Sequence, residues 1–466
     1  MMRLRGERAR LRYDACIIGA GADGLAAAAW LAARGLKVIV IERNSRPGGR
    51  CTTREFHPGF RASPFTDELP EIPAFIFRAL DLARRGAILA RGPGDGVPGE
   101  AEERRAQVLA RVMRDAEAVL PRSLFGRPRR PVEPWPGEEL AARPLAEYGV
   151  PAPLDGRLCD PALAGSALVL LAGGRGGMPA GGLGRLGEVL LSAAEEAGAE
   201  VPCGLEVTDI RRRRGRAATA GLADGSEVEA RAFISTLDLK RTFLALFQWN
   251  EMPRALVERV GAFRAAPGTA RLLVALGALP GRADPEVLRS PIEVAPADPS
   301  AAYRAWRSGT VPARPPATLR LVSAVDPSLA PDGCATLTVT LGAIPHAPFD
   351  GAWTHEKRVR LRDVALAIAE ERLPGIAARV IATDLIVPPD IENQLGVSDG
   401  DLLGGELGAS QMLGFRPFPE CSGTRTPVEG LYLAGPSSPL GPLMTCASGV
   451  AAARAVLADM RAGRLK

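Results

Sequence analysis

Histidine is nearly absent from this chain, with three among 466 residues: His57, His346 and His355. A metal centre or a triad built on imidazole therefore has few places to form. Seven cysteines (Cys16, Cys51, Cys159, Cys203, Cys334, Cys421 and Cys446) are scattered, with no C-x-x-C pair and no zinc spacing. An odd, dispersed set reads as reduced thiols in a cytoplasm, and disulphide-exchange chemistry loses its usual residue pair. Apolar runs such as "ALVLLA" at 167–172 are too short to span a bilayer. The basic opening "MMRLRGERARLRYD" lacks the apolar centre of a signal peptide. Net charge is only +5, and no basic patch interleaves with aromatics, so no nucleic-acid partner is expected.

Glycine, by contrast, is abundant at 52 residues, and its placement is informative. "DACIIGAGADG" at 14–24 is an apolar strand pattern that breaks into Gly19, Gly21 and Gly24. Helix formers follow ("GLAAAAWLAARG"), with Gly35 placed as a C-terminal cap. A second strand pattern, "LKVIVIE", ends in Glu42. Strand, glycine turn, helix and strand make a βαβ unit. In the G-x-G-x-x-G pattern, Gly19 permits the tight turn and Gly21 lets a pyrophosphate approach the backbone. Gly24 lets helix and strand pack closely. The phosphates would sit on the helix N-terminus, and Glu42 would accept hydrogen bonds from a ribose diol. A carboxylate at that place argues against a 2′-phosphate; Arg43 beside it weakens that argument slightly. "RNSRPGGRCTT" comes next, and its Gly48-Gly49-Arg50 turn can bring N–H groups and a guanidinium to the pyrophosphate. NAD dehydrogenases do not need this element; flavoproteins of the extended FAD fold usually have it.

The far end repeats the logic. "LYLAG" is a strand pattern ending in Gly435, and "TCASGVAAARAVLADM" is a helix that begins on small residues. Such a start admits a flat ring, with the positive helix end facing the side of a flavin where negative charge develops.

These stretches resemble phytoene-desaturase-type flavoproteins. So do "GLGRLGEVLLSAAEEAGAEVPCGLEVTDI" and "ADGSEVEARAFISTLD". "VSDGDLLGGELGASQMLGFRPFP" and "GLYLAG" are similar to the branch that contains pyridine nucleotide-disulphide oxidoreductase domain-containing protein 2. The resemblance implies FAD contacts at Gly19, Gly21, Gly24, Glu42, Arg43, Gly49 and Arg50. It further implies Val207 near the adenine by its backbone, and Gly435 and Met444 near the flavin end. In one place the chain departs from the family, which carries a histidine, a proline and a glycine run before the last helix. Here "SPLGPLMTCASG" keeps Gly441 and Gly449 but has Pro442 and Leu443 in place of glycines, and Pro442 lacks an N–H donor.

Several features have blander readings. Gly182-x-Gly184-x-x-Gly187 also fits the fingerprint, but no clean strand enters it, so it reads as a structural helix start. Cys51 and Cys446 fall near the expected flavin and read as small neighbours rather than covalent links. His57 reads as a loop residue. His346 and His355 flank "APFDGAWT" and read as surface loop, with a carboxylate pairing as the alternative. Ile72, Phe75, Ile76, Leu80 and Ala83 recur at helical spacing. That stripe suits core packing against a substrate domain, or contact with a membrane surface.

The expected architecture is α/β: a Rossmann-like FAD-binding domain of the extended, glutathione-reductase-type kind with a second, α+β substrate domain. The FAD domain is assigned to residues 12–70, 181–245 and 400–466, and the substrate domain to 71–180 and 246–399. The expected activity is an FAD-dependent dehydrogenase or desaturase taking hydride onto flavin N5 from a small apolar, isoprenoid-like substrate. Oxygen or a quinone is the electron acceptor, left open between the two. The residues name no catalytic base and no metal site. Two other readings stand beside it: an FAD-binding scaffold without turnover, and a flavin amine oxidase. The last is disfavoured by only four tyrosines.

Overall fold

The computed structural model describes residues 11–67, 69–70, 72–87, 89–90, 175–248, 250–279, 288–407, 411, 416–418, 421, 423–439, 441–442 and 445–465. In chain order its elements begin β1 (Leu11–Ile18), α1 (Ala22–Ala32), β2 (Val38–Ile41), β3 (Arg54–His57), β4 (Phe60–Ala62), β5 (Leu69–Pro70), α2 (Ala74–Ala79), β6 (Leu89–Ala90), β7 (Arg175–Pro179) and α3 (Gly184–Glu196). There follow β8 (Val207–Arg213), β9 (Arg216–Leu222), β10 (Glu227–Ser235), α4 (Arg254–Ala262), β11 (Ala270–Leu276), β12 (Ile292–Val294), α5 (Pro299–Arg307) and β13 (Ala317–Leu321). The remainder comprises α6 (Val322–Val325), β14 (Ala335–Leu341), α7 (His355–Arg372), β15 (Val380–Ile386), α8 (Pro388–Leu395), β16 (Leu431–Leu433) and α9 (Ala447–Arg461).

The first sheet has a parallel centre. β1 pairs with β2 from Ala15↔Val38 to Ile18↔Ile41, and with β10 from Leu11↔Val228 to Ile18↔Ser235. β16 joins the C-terminal end of β10, Phe233↔Leu431 to Ser235↔Leu433. The N-terminal half of β10 instead takes the antiparallel strands β9 and β8. The "RRRRGR" stretch is their hairpin turn, with Arg214 and Gly215 at positive φ. Alanines explain how α1 fits: all eleven of its residues are buried, with the sheet, α3 and α9 around it. Larger side chains would hold those elements apart.

The second sheet runs β12-β13-β14-β11-β15, antiparallel throughout. β11, "ARLLVAL", is buried along its whole length because strands flank it and both faces are covered. α7 covers one face through Leu361, Ala365 and Ile368. On the other, Arg271 donates to Asp67 at 2.6 and 3.0 Å beneath the β3–β4 hairpin.

The apolar stripe at 72–83 behaves differently from its expectation. Pro73 and a positive φ at Asp81 limit α2 to six residues. Ile72, Ile76 and Leu80 are buried in the core of the first sheet, with α1 and α3, and not against the second sheet. Phe75 stays 47% exposed and meets Trp30 edge-on at 6.4 Å. Among the described residues, no helix is long and apolar enough to cross a membrane.

Candidate functional site

Four parallel strands, β2, β1, β10 and β16, end side by side. Their carboxyl ends present Glu42, Gly19, Thr236 and Gly435 along one edge of the sheet. Three inter-strand steps of about 4.8 Å set those ends over roughly 14 Å. Open α/β sheets bind ligands in the crevice outside these ends. Here the crevice is an open cleft lined by all four of these strand ends.

At its centre the glycines do separate jobs. Gly19 has φ +98°, and a Cβ there would overlap Thr236, whose hydroxyl donates to the Ile18 carbonyl at 2.8 Å. A Cβ on Gly24 would overlap the Gly19 carbonyl oxygen. Gly24 thus brings α1 down onto the turn without lining the cleft itself. Gly21, the N-cap of α1, would place its Cβ in open space, with no atom within 4 Å. No side chain caps α1, so its leading N–H groups face the cleft unclaimed, as an anion site requires. The Gly48-Gly49-Arg50 turn docks directly on this one. Gly48 N–H donates to Ala20 at 2.8 Å, and a Cβ on Gly49 would lie 3.2 Å from the Gly21 Cα. Arg50 reaches the far wall, where its Nη1 donates to the Leu402 carbonyl at 2.5 Å and to Pro442 at 3.4 Å.

At the β2 end, Glu42 is 6% exposed. One carboxylate oxygen accepts the Ala20 N–H at 2.7 Å, and the other accepts Asn44 N–H at 2.9 Å. Each oxygen keeps a lone pair for a ribose hydroxyl. Arg43 lines the cleft but turns toward α8, donating to Asn393 at 2.5 Å. Its Nε is buried with no partner among the described residues. Val207 lines the same end, with Leu205 and Glu206.

At the β16 end, Gly435 has φ +73°, and a Cβ would overlap the Thr236 carbonyl. Its N–H donates to Ser448 Oγ at 3.0 Å, which locks the strand end to α9. Asp23 accepts the Gly449 N–H at 3.1 Å. Burial pushes the Asp23 carboxyl up, while Ser448, Gly449 and the charge of Arg50 pull it back. The first turn of α9 is therefore partly claimed by a carboxylate. Met444 lies outside the described residues. Burial pushes the Cys51 thiol up to about 12 and raises Cys446 as well, so both are protonated and poor nucleophiles at neutral pH.

Other candidates fall elsewhere. Gly182, Gly184 and Gly187 seat α3 against the Arg50 turn. Gly184 N–H donates to Thr53 Oγ1 at 2.9 Å, and a Cβ on Gly187 would lie 2.8 Å from the Cys51 carbonyl. The second fingerprint is thus a packing device. His57 sits on β3 beside Phe60, away from the cleft. His346 Nε2 lies 2.6 Å from Glu392, so the carboxylate alternative holds for that residue, whereas His355 is exposed at the start of α7. Among the described residues, no group of three or more His, Cys, Asp or Glu side chains could hold a metal ion.

The donor set suits a dinucleotide: two glycine turns of free backbone, a carboxylate at one end and a guanidinium at the centre. The comparisons agree. Residues 17–67 match the family model of the NAD(P)-binding Rossmann-like domain. Pyridine nucleotide-disulfide oxidoreductase domain-containing protein 2 of Mus musculus is 26% identical, with 98% of this chain and 95% of that protein covered. Phytoene dehydrogenase of Streptomyces griseus is 26% identical over 80% of this chain and 82% of its own. The chain carries a Rossmann-like domain of the FAD-dependent oxidoreductase type. In overall fold, the chain is similar to putrescine oxidase bound to putrescine. The TM-score is 0.61 at 17% identity, covering 96% of this chain and 100% of the other. An oxidoreductase from Methanosarcina mazei gives 0.60 at 18%, covering 97% and 100%. Phytoene dehydrogenase and putrescine oxidase are oxidoreductases by name, and the donor set of this cleft suits FAD. Residues placing FAD here would be Gly19, Gly21, Gly49, Arg50 and Glu42, with Gly435 at the ring end.

Sequence reasoning missed Asp23, Thr236, Asp401 and Arg416. Asp23 was visible as a charged residue inside the glycine fingerprint. Arg416 gave no signal beyond its motif, because its partners are carbonyl oxygens.

Proposed function

We propose that the protein is an FAD-dependent dehydrogenase or desaturase acting on a small apolar, isoprenoid-like substrate. FAD, held by Gly19, Gly21, Glu42, Gly49, Arg50 and Gly435, would supply the two-electron acceptor (N5) for hydride from a substrate C–H bond, with oxygen or a quinone as the final acceptor. The single observation behind this reading is the cleft itself. Both chain ends build one continuous edge from Glu42 to Gly435. The desaturase relatives support the substrate class. The chain's own part is binding and orientation: α1 and the Arg50 turn take the diphosphate, and Glu42 takes the ribose.

The amine oxidase fold is a second reading, favoured by the likeness to putrescine oxidase. Against it, the described lining of the cleft contains no aromatic side chain with which to flank an amine. Anaerobic mixing of the FAD-loaded protein with isoprenoid hydrocarbons and with simple amines separates the readings. Loss of visible flavin absorbance with a hydrocarbon supports the proposal. Loss with amines alone replaces it by the oxidase. No loss with any substrate, together with slow reoxidation after dithionite, favours a scaffold without turnover.

A further inference from the structure

The stretch "VSDGDLLGGELGASQMLGFRPFP" (397–419) has no part in holding FAD by the reading above. In the structure it is organised by two buried charges. Asp401, 6% exposed, accepts four backbone N–H groups: Ala266 at 2.9 Å, Leu403 at 2.8 Å, Gly404 at 3.1 Å and Gly405 at 2.6 Å. Arg416, 1% exposed, gives its guanidinium to backbone carbonyls. These are Leu403 at 2.7 Å, Gly404 at 3.0 Å, Gln411 at 3.1 Å, Pro436 at 2.8 Å and, at 3.5 Å, Glu406. Apart from short 3-10 turns, the described residues of this stretch lie in no α-helix or strand, so these two side chains satisfy much of their polar backbone. Ser437 adds a bond to the Gly404 carbonyl at 2.9 Å.

Two points of this unit touch the cleft. The Leu402 carbonyl accepts Arg50 Nη1 at 2.5 Å. Pro436 lines the cleft beside Gly435, and its carbonyl accepts Arg416. We propose that Asp401 and Arg416 are positioning residues for the ring end of the FAD cleft, fixing the Leu403–Gly405 backbone against the Gly435–Pro436 turn. Both charges also stabilise the loop, because removing either would strand the buried backbone groups it satisfies. What the pair adds is a single conformation for a backbone that has no ladder of its own. The proposal rests on FAD occupying the cleft and is independent of the substrate.

The test is R416K, which keeps the charge but loses the planar fork that joins three chain segments. Two probes divide the cleft: ADP reports the Glu42 half, and FAD reports both halves. The expected result is FAD binding weakened by about tenfold or more, with ADP affinity held within about twofold, the size set by one or two lost charge-assisted hydrogen bonds. The visible circular dichroism of bound FAD should change as well. FAD and ADP weakened in parallel would make Arg416 a general structural residue and overturn the proposal, as would no change in either. If R416K does not fold by far-UV dichroism, D401N is judged by the same split. Wild-type protein that binds ADP but not FAD would remove the cofactor reading and this proposal together. Wild-type protein that binds both, with variants that show no split, removes only this proposal.

Discussion

Asp23 accepts a hydrogen bond from the backbone N–H of Gly449 across 426 positions of sequence. The contact joins the first helix to the last, and it leaves no room for a side chain at 449. A Cβ there would overlap the Asp23 carbonyl. G449A is therefore expected to force α1 and α9 apart and to destabilise the protein by about 2–4 kcal/mol. Chemical denaturation would measure it; an unchanged midpoint would show that the helices tolerate separation.

Gly21 and Gly24 should fail in opposite ways. A methyl at Gly21 enters open cleft, so G21A should fold with a near-native melting temperature and bind FAD at least about tenfold more weakly. A methyl at Gly24 strikes the Gly19 carbonyl, so G24A should lose stability first. Thermal melts of the two apo-variants beside fluorescence titrations with FAD distinguish them. Equal effects of both on folding would contradict the assignment.

Removing the Glu42 carboxylate strands two backbone donors, Ala20 N–H and Asn44 N–H. E42A should cost about 2–3 kcal/mol of stability and also weaken ADP, because buried donors without acceptors keep their desolvation penalty. E42Q retains one acceptor oxygen and should fall between. Urea denaturation and ADP titration of the three proteins give the ranking.

Acid should release the C-terminal helix. Burial raises the pKa of Asp459, but hydrogen bonds from Arg425 (2.8 and 2.9 Å), Tyr432 (2.6 Å) and Arg464 outweigh it and hold the carboxyl well below the usual carboxylate range. A carboxyl depressed in the folded state contributes stability above its unfolded pKa, about 3.9, and loses it as pH falls toward the folded value. Wild-type stability should therefore drop below about pH 4, and D459N should be less stable at neutral pH but flatter in that acid range. Melting temperatures between pH 7 and the acid limit test this; parallel curves would remove Asp459 from the account.

The sequence disclosed the cleft where chemistry is written in backbone. Gly19 and Gly24 are legible because only glycine satisfies a positive φ or so short a contact, and Gly21 because a side chain there would enter the cleft. Glu42 is legible because the turn fixes where the next strand ends. Gly435 was found by the same strand-then-glycine pattern. Arg416 was not, because a guanidinium feeding five carbonyls leaves no acidic partner at recognisable spacing. The stripe at 72–83 shows the limit of periodicity: spacing marked an apolar face without saying which core it enters. Likewise, Gly182-x-Gly184-x-x-Gly187 has the letters of a phosphate turn and does the work of a helix bearing.

The four strand ends that edge the cleft come from the first, middle and last parts of the sequence, and β16 takes its place beside β10 only after more than four hundred residues have preceded it. A nascent chain can assemble the dinucleotide turn early, yet its ring-side wall does not exist until the final strand and helix have left the ribosome. Cofactor capture in this protein is thus a late event, and any fragment that stops short of α9 should emerge without colour however well its first half folds.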